Sequence, residues 1–142
     1  MLKLIPPLLG PELLAILRAM GHGDEIAIVD ANFPGTAMDT RLVRLDGHSA
    51  TDVLEAVLTL LPLDDFEDAV FAMAVVGDPE QRMPVMDEFD AIVARHQAGM
   101  ALKVIERFAF YERVRSAFAV VQTGETRLYG NILLKKGVIR PA

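Results

Sequence analysis

A chain of 142 residues, 52% hydrophobic and 24% charged, is long enough for one domain spanning residues 1–142 with a full-sized core. Fourteen basic against twenty acidic residues leave a formal charge of -6 with no Lys/Arg block, which excludes nucleic acid as an expected partner. The absence of cysteine rules out disulfides and thiolate metal sites and makes the cytoplasm the expected compartment.

The first residues, Met1 to Ile5, begin as a secretory signal would. Pro6, Pro7, Gly10 and Pro11 interrupt that pattern and Glu12 and Arg18 follow, so the segment reads as mature structure. No apolar run approaches the roughly twenty residues needed to span a bilayer, and no membrane association is expected. A mean hydropathy of +0.32 is nevertheless high for so small a soluble domain. The expected resolution is a large subunit interface, hence a homo-oligomer.

Gly10-Pro11 opens a first helix whose apolar stripe is Leu13, Ile16, Leu17 and Met20, with Gly21 ending it. A strand over Glu25 to Val29 follows, then a polar loop from Asn32 to Thr40 and a second strand, Arg41 to Leu45. Ser49 with Asp52 three residues on marks a helix start, and Val53, Leu54, Val57, Leu58 and Leu61 recur at helical spacing until Pro62. An acidic connector, Asp64 to Asp68, precedes the continuous apolar run Ala69 to Val76, the pattern of a buried strand. Pro84 opens a third helix, amphipathic through Val85, Met86, Phe89, Ile92 and Val93 and closed by Gly99. Ala101 to Ile105 is a fourth strand. A short helix packed through Phe110 and Val114, a strand over Phe118 to Gln122 and a last strand over Ile132 to Leu134 complete the chain.

Apolar strands alternating with helices predict a single three-layer α/β/α domain with a mixed, mostly parallel sheet, because strands this apolar need cover on both faces. The last two strands are expected to pair antiparallel across Thr123-Gly124-Glu125, with strand order left open.

Ligands of open α/β sheets gather at the carboxyl ends of parallel strands, and Asp30 and Arg107 both fall there. They offer an acceptor and a fork of donors to a polyhydroxylated ligand, or they form a structural ion pair. His22 lies between Gly21 and Gly23, ahead of the first strand. A histidine's ordinary pKa of about 6.5 suits proton transfer near neutrality, although a histidine there also suits capping of the preceding helix. Tyr129-Gly130-Asn131 puts a phenol and a carboxamide around a glycine that lets a ligand approach, or it is an ordinary turn. Tyr111 reads as core beside Phe108 and Phe110, and His48 and His96 read as surface residues. Tyr129 precedes its strand whereas Asp30 and Arg107 follow theirs. One pocket therefore requires an antiparallel last strand or a neighbouring subunit.

Three dispersed histidines show no ligand spacing, so no metal is expected. There is no P-loop, no dinucleotide fingerprint and no Gly-x-Ser-x-Gly elbow, which disfavours covalent and phosphoryl chemistry. What remains is proton transfer on a small polar substrate.

Four motifs taken together, Met20-Gly-His-Gly-Asp-Glu25, Asp30 with Asn32-Phe-Pro34, Arg107-Phe-Ala-Phe-Tyr-Glu-Arg113 and Tyr129-Gly-Asn-Ile-Leu-Leu-Lys-Lys-Gly-Val138, resemble the L-fucose mutarotases of the RbsD/FucU sugar mutarotase family. The resemblance spans the chain. It implies a fold similar to that of D-ribose pyranase, a ring of subunits, commonly a decamer, and no metal or cofactor. The implied activity interconverts the α and β anomers of a free monosaccharide, most often L-fucose, by ring opening and reclosure. His22 is then the proton donor, and Asp30, Arg107, Tyr129, Gly130 and Asn131 match sugar-contacting positions, with the site completed at a subunit interface. A ribose-type pyranose/furanose interconversion and a non-catalytic sugar-binding ring protein are the alternatives.

Overall fold

The helix start expected at Ser49 is built as the residue types require. Ser49 is extended, and its Oγ accepts from the Asp52 amide at 3.1 Å, satisfying one of the free amides that begin α2 (Ala50–Leu58). Pro11 and Pro84 occupy the first positions of α1 (Pro11–Ala19) and α3 (Pro84–His96), where a missing N–H costs nothing. Glu106 caps α4 (Arg107–Ser116), accepting from the amides of Phe108 at 2.8 Å and Ala109 at 3.1 Å.

These coordinates come from a computed structural model that describes residues 1–142. The strands are β1 (Glu25–Val29), β2 (Arg41–Leu45), β3 (Val70–Met73), β4 (Lys103–Ile105), β5 (Ala119–Thr123) and β6 (Ile132–Lys135), in the order β2-β5-β1-β6-β3-β4. The β1–β5, β2–β5 and β3–β4 pairs are parallel, and β6 runs antiparallel to both of its neighbours, β1 and β3. The sheet is thus mixed and mostly parallel, as expected.

The expected β5–β6 hairpin does not form. Ile26 of β1 pairs with Ala119 of β5 on one side and with Leu134 of β6 on the other, so β1 lies between them. Residues 124–131 form a crossing segment, long enough to pass over one intervening strand, a span of about 10 Å. Strand β3 is also shorter than the apolar run that encodes it. Its partner β4 ends at Ile105, which accepts from the Ala74 amide, and the chain then turns back on itself where Val75 bridges Asp78.

Alternation along the strands divides the core. Ile26 and Ile28 of β1, Val70 and Ala72 of β3, and Ile132 and Leu134 of β6 face α1, α2 and α3. Ala27, Val29, Phe71, Met73 and Leu133 face α4 and the turn of 3-10 helix at Thr36–Met38. Phe89 on the first side and Phe110 on the second are fully buried, and each contributes about 1.5–3 kcal/mol by leaving water. With both faces covered, the two ends of the sheet are what remain for a ligand. No helix is long and apolar enough to cross a membrane.

Candidate functional site

At the end of β1, where Val29 gives way to Asp30, the chain leaves the sheet into the Asn32-Phe33-Pro34 loop. Asp30 is 6% exposed and its carboxylate is held from two sides. One oxygen accepts from the Asn32 amide at 3.0 Å and the other from the Asn131 side-chain nitrogen at 3.1 Å. The Asn131 carbonyl oxygen in turn accepts from the Asp30 amide at 2.8 Å, so the carboxylate and the carboxamide lock each other. Gln122 adds a third tie, donating to the Asp30 carbonyl at 2.6 Å. Burial pushes the Asp30 carboxyl above its ordinary range, and the bonds from Asn32 and Asn131 pull against that push.

Asn131 reaches Asp30 because β6 is antiparallel to β1. The start of β6 and the end of β1 therefore lie at one edge of the sheet, which resolves the placement of Tyr129 without a second subunit. Gly130 is buried there, and a side chain on it would meet the Glu125 Cγ at 2.6 Å. Tyr129 has a φ of +62°. Its hydroxyl accepts from the Val76 amide at 3.0 Å, anchoring the turn to the end of β3.

Arg107 stands at the same edge, beyond β4 and three strand spacings from β1, roughly 14 Å along the sheet. It lines a cleft of about 460 Å³ with Val76, Gln81, Arg82, Val104 and Glu106. Its Nε is the one buried side-chain nitrogen or oxygen without a partner, and its guanidinium lies 4.5 Å over the Phe108 ring. It makes no ion pair with Asp30, so that alternative is set aside.

His22 lies elsewhere. It precedes β1, so about 16 Å of strand separates it from Asp30. The side chain is 45% exposed, and its Nε2 is 3.0 Å from an oxygen of Asp64, which is 3% exposed. It caps no helix. Its loop is tied instead to the end of β6 by Gly23 N–H donating to the Lys136 carbonyl and Lys136 N–H donating to the Asp24 carbonyl. Burial opposes ionisation of Asp64, but hydrogen bonds from His22 and the Phe66 amide outweigh it and hold the carboxyl below its usual range. The Phe66 ring, 65% exposed, sits 5.3 Å from the imidazole.

Sequence reasoning missed Asp64. It lies among four acidic residues in the five from Asp64 to Asp68, and the one distinguishing signal is its place directly after the apolar Leu63, which bridges Lys136. His96 also departs from its surface reading, because its Nε2 is 2.7 Å from Glu55 and ties α3 to α2. His48 is exposed. Tyr111 packs its ring against Phe33 and Phe108 and is half-buried. No three His, Asp or Glu side chains converge as metal ligands would.

Fold and site together define a class: a small α/β protein that presents hydrogen-bonding and ionisable side chains at both ends of one mixed sheet. The chain belongs to the RbsD / FucU transport protein family, whose model matches residues 3–139. It is 48% identical to the fucose mutarotase of Homo sapiens over 97% of this chain and 94% of that protein. The crystal structure of the fucose mutarotase from Streptococcus pneumoniae in complex with L-fucose matches it with a TM-score of 0.89 at 40% identity, covering 98% of this chain and 100% of that one. Bacillus subtilis RbsD complexed with D-ribose shares the fold at a TM-score of 0.75, with 22% identity over 99% of this chain and 100% of that one.

Proposed function

We propose that this protein is an isomerase that interconverts the α and β anomers of L-fucose, working in the cytoplasm as a single domain over residues 1–142. The observation that carries the reading is the full-length likeness to a fucose mutarotase whose structure holds L-fucose. The ribose-type alternative has weaker support, since the likeness to RbsD is 22% identical and speaks for the fold alone.

Anomer exchange needs a proton delivered to the ring oxygen and another removed from the anomeric hydroxyl, after which the free aldehyde rotates and closes on its other face. A carboxylate can only accept, so the ionised Asp64 takes Nε2–H of His22, orients the ring and leaves Nδ1 to exchange a proton with the sugar. Asp30, Asn131, Tyr129 and Arg107 supply acceptors and donors to the hydroxyls, and the missing side chain of Gly130 makes room for Glu125 beneath the turn rather than for the sugar.

His22 and Asp30 of one chain are too far apart to share a sugar ring. The reading therefore has one subunit's His22 end meet the next subunit's Asp30 end. Two different patches in contact make a head-to-tail interface, which closes into a ring when the rotation allows, and a decamer is the assembly the resemblance implies. Exposed apolar groups at both ends suit it: Phe66 beside His22, and Phe108, Leu128 and Val76 around Arg107 and Tyr129.

Exchange NMR on L-fucose tests the proposal. The protein should speed anomer exchange well above the uncatalysed rate, and His22→Ala should slow it by about 100-fold or more while fucose still binds. Undiminished exchange in His22→Ala removes the role assigned to this residue. A non-catalytic sugar-binding protein would bind fucose without exchange.

A further inference from the structure

The segment from Gly124 to Asn131 has a demanding path. It crosses the end of β1 without pairing to it as a strand and must deliver Tyr129 in left-handed backbone, a conformation that a residue with a side chain adopts only when its surroundings impose it. The hydrogen bond from the Val76 amide holds the phenol tip, but it does not explain what holds the turn beneath it.

Beneath it is Glu125. Its Cγ lies where a Gly130 side chain would be, so the glycine rests directly on the glutamate. The Glu125 carboxylate is 3% exposed. One oxygen accepts from the Arg127 amide at 3.0 Å and from Arg127 Nε at 2.9 Å. The other accepts from Arg127 Nη2 at 2.8 Å and from the Ala50 amide, at the start of α2, at 3.2 Å. Arg127 continues outward, donating to Thr51 Oγ1 at 3.3 Å and pairing with Glu88 of α3. The Glu125 carbonyl accepts from the Ala31 amide at 2.9 Å, next to Asp30. One ion pair thus touches the turn, two helices and the Asp30 loop. Four protein donors already converge on the Glu125 carboxylate, which leaves it poorly placed to bind a ligand.

We infer that Glu125 and Arg127 are a positioning pair that sets the conformation of the Tyr129-Gly130-Asn131 turn and so controls sugar turnover without touching the sugar. The inference rests on the reading that this turn contacts the substrate. Apolar packing could fill the same space, but it would not fix direction. A bidentate ion pair with fixed donors admits one arrangement of the loop, and registry of this kind is the best-attested use of a buried pair.

Removing Arg127 alone strands the buried Glu125 charge, so the decisive variant is the double substitution Glu125→Gln with Arg127→Met, which removes both charges and keeps the volume. Its melting temperature should stay well above the assay temperature. Its anomer exchange at saturating L-fucose should fall at least tenfold, and hydrogen–deuterium exchange in residues 124–131 should speed up at least tenfold. Arg127→Lys, which keeps the charge and loses the fork, should recover part of both relative to Arg127→Met. A folded double variant with wild-type turnover, or with unchanged hydrogen exchange in that segment, overturns the inference. If the wild-type protein itself failed to exchange L-fucose anomers, the functional reading would fall, and the hydrogen-exchange comparison would still decide whether the pair holds the turn.

Discussion

The two ends of β1 are built on opposite principles. At its carboxyl end Asp30 is buried and held by four hydrogen bonds, two with Asn131, one from Gln122 and one from Asn32 in its own loop. At its amino end His22 is 45% exposed, with one side-chain partner and a solvent-facing aromatic neighbour. A group that recognises hydroxyls gains from being held in one place, because geometry is its selectivity. A group that must take up and release protons gains from access and from a single oriented bond. In the proposed assembly each chain carries one half of a site in each style.

The largest effect should come from separating the halves. His22→Ala and Asn131→Ala should each abolish most anomer exchange, yet unfolding and co-refolding the two together should restore it, because roughly one interface in four then pairs an intact His22 end with an intact Asp30 end. Exchange NMR before and after mixing reads this directly, with about a quarter of the wild-type rate expected in the co-refolded mixture. If each mixture stays as inactive as its components, the site does not lie between subunits.

A second, smaller effect sharpens the contrast within the buried half. The folded Asp30 carboxyl sits above its unfolded value, so its contribution to stability is fully present below the unfolded pKa and is lost as pH rises through the folded one. Above the folded pKa the ionised group therefore costs stability. Asp30→Asn removes that cost but turns an amide NH2 group toward the Asn32 or Asn131 donor, so the melting temperature should fall only modestly while L-fucose binding weakens about tenfold or more, by calorimetry on both counts. A large drop in melting temperature would make Asp30 a structural residue first.

The smallest effect is on acid unfolding. Glu125 is held down at about 2 by its hydrogen bonds to Arg127, so its contribution is present above the usual carboxylate pKa of 4.5 and is lost as pH falls toward 2. Asp30 has the opposite sign. Glu125→Gln should therefore flatten the fall in stability between about pH 4.5 and 2, whereas Asp30→Asn should not, as followed by denaturant midpoints across that range.

Local signals were legible where a short stretch of chain satisfies itself. Ser49 with Asp52, and Pro11 and Pro84, marked helix starts because a cap needs only residues within one turn. The unbroken apolar character of the strands foretold two covered faces. The 124–131 segment misled, because a turn-like Thr-Gly-Glu suits a hairpin as well as the first step of a crossing, and only the insertion of β1 distinguishes them. Asp64 was invisible for a related reason: its role exists only through His22, 42 residues away.

Residue types and spacing, with the family likeness, were enough to single out His22, Asp30, Arg107 and the Tyr129 to Asn131 turn as the chemically interesting positions, and to foresee a mixed, mostly parallel sheet. Tertiary structure decided which of them are neighbours. Strand β6 runs against β1, so Asn131 meets Asp30, and β1 runs from His22 to Asp30, so those two cannot meet within one chain. The physical reason is that strand direction and order depend on long-range pairing, and a local apolar pattern reads the same whichever way its neighbour runs.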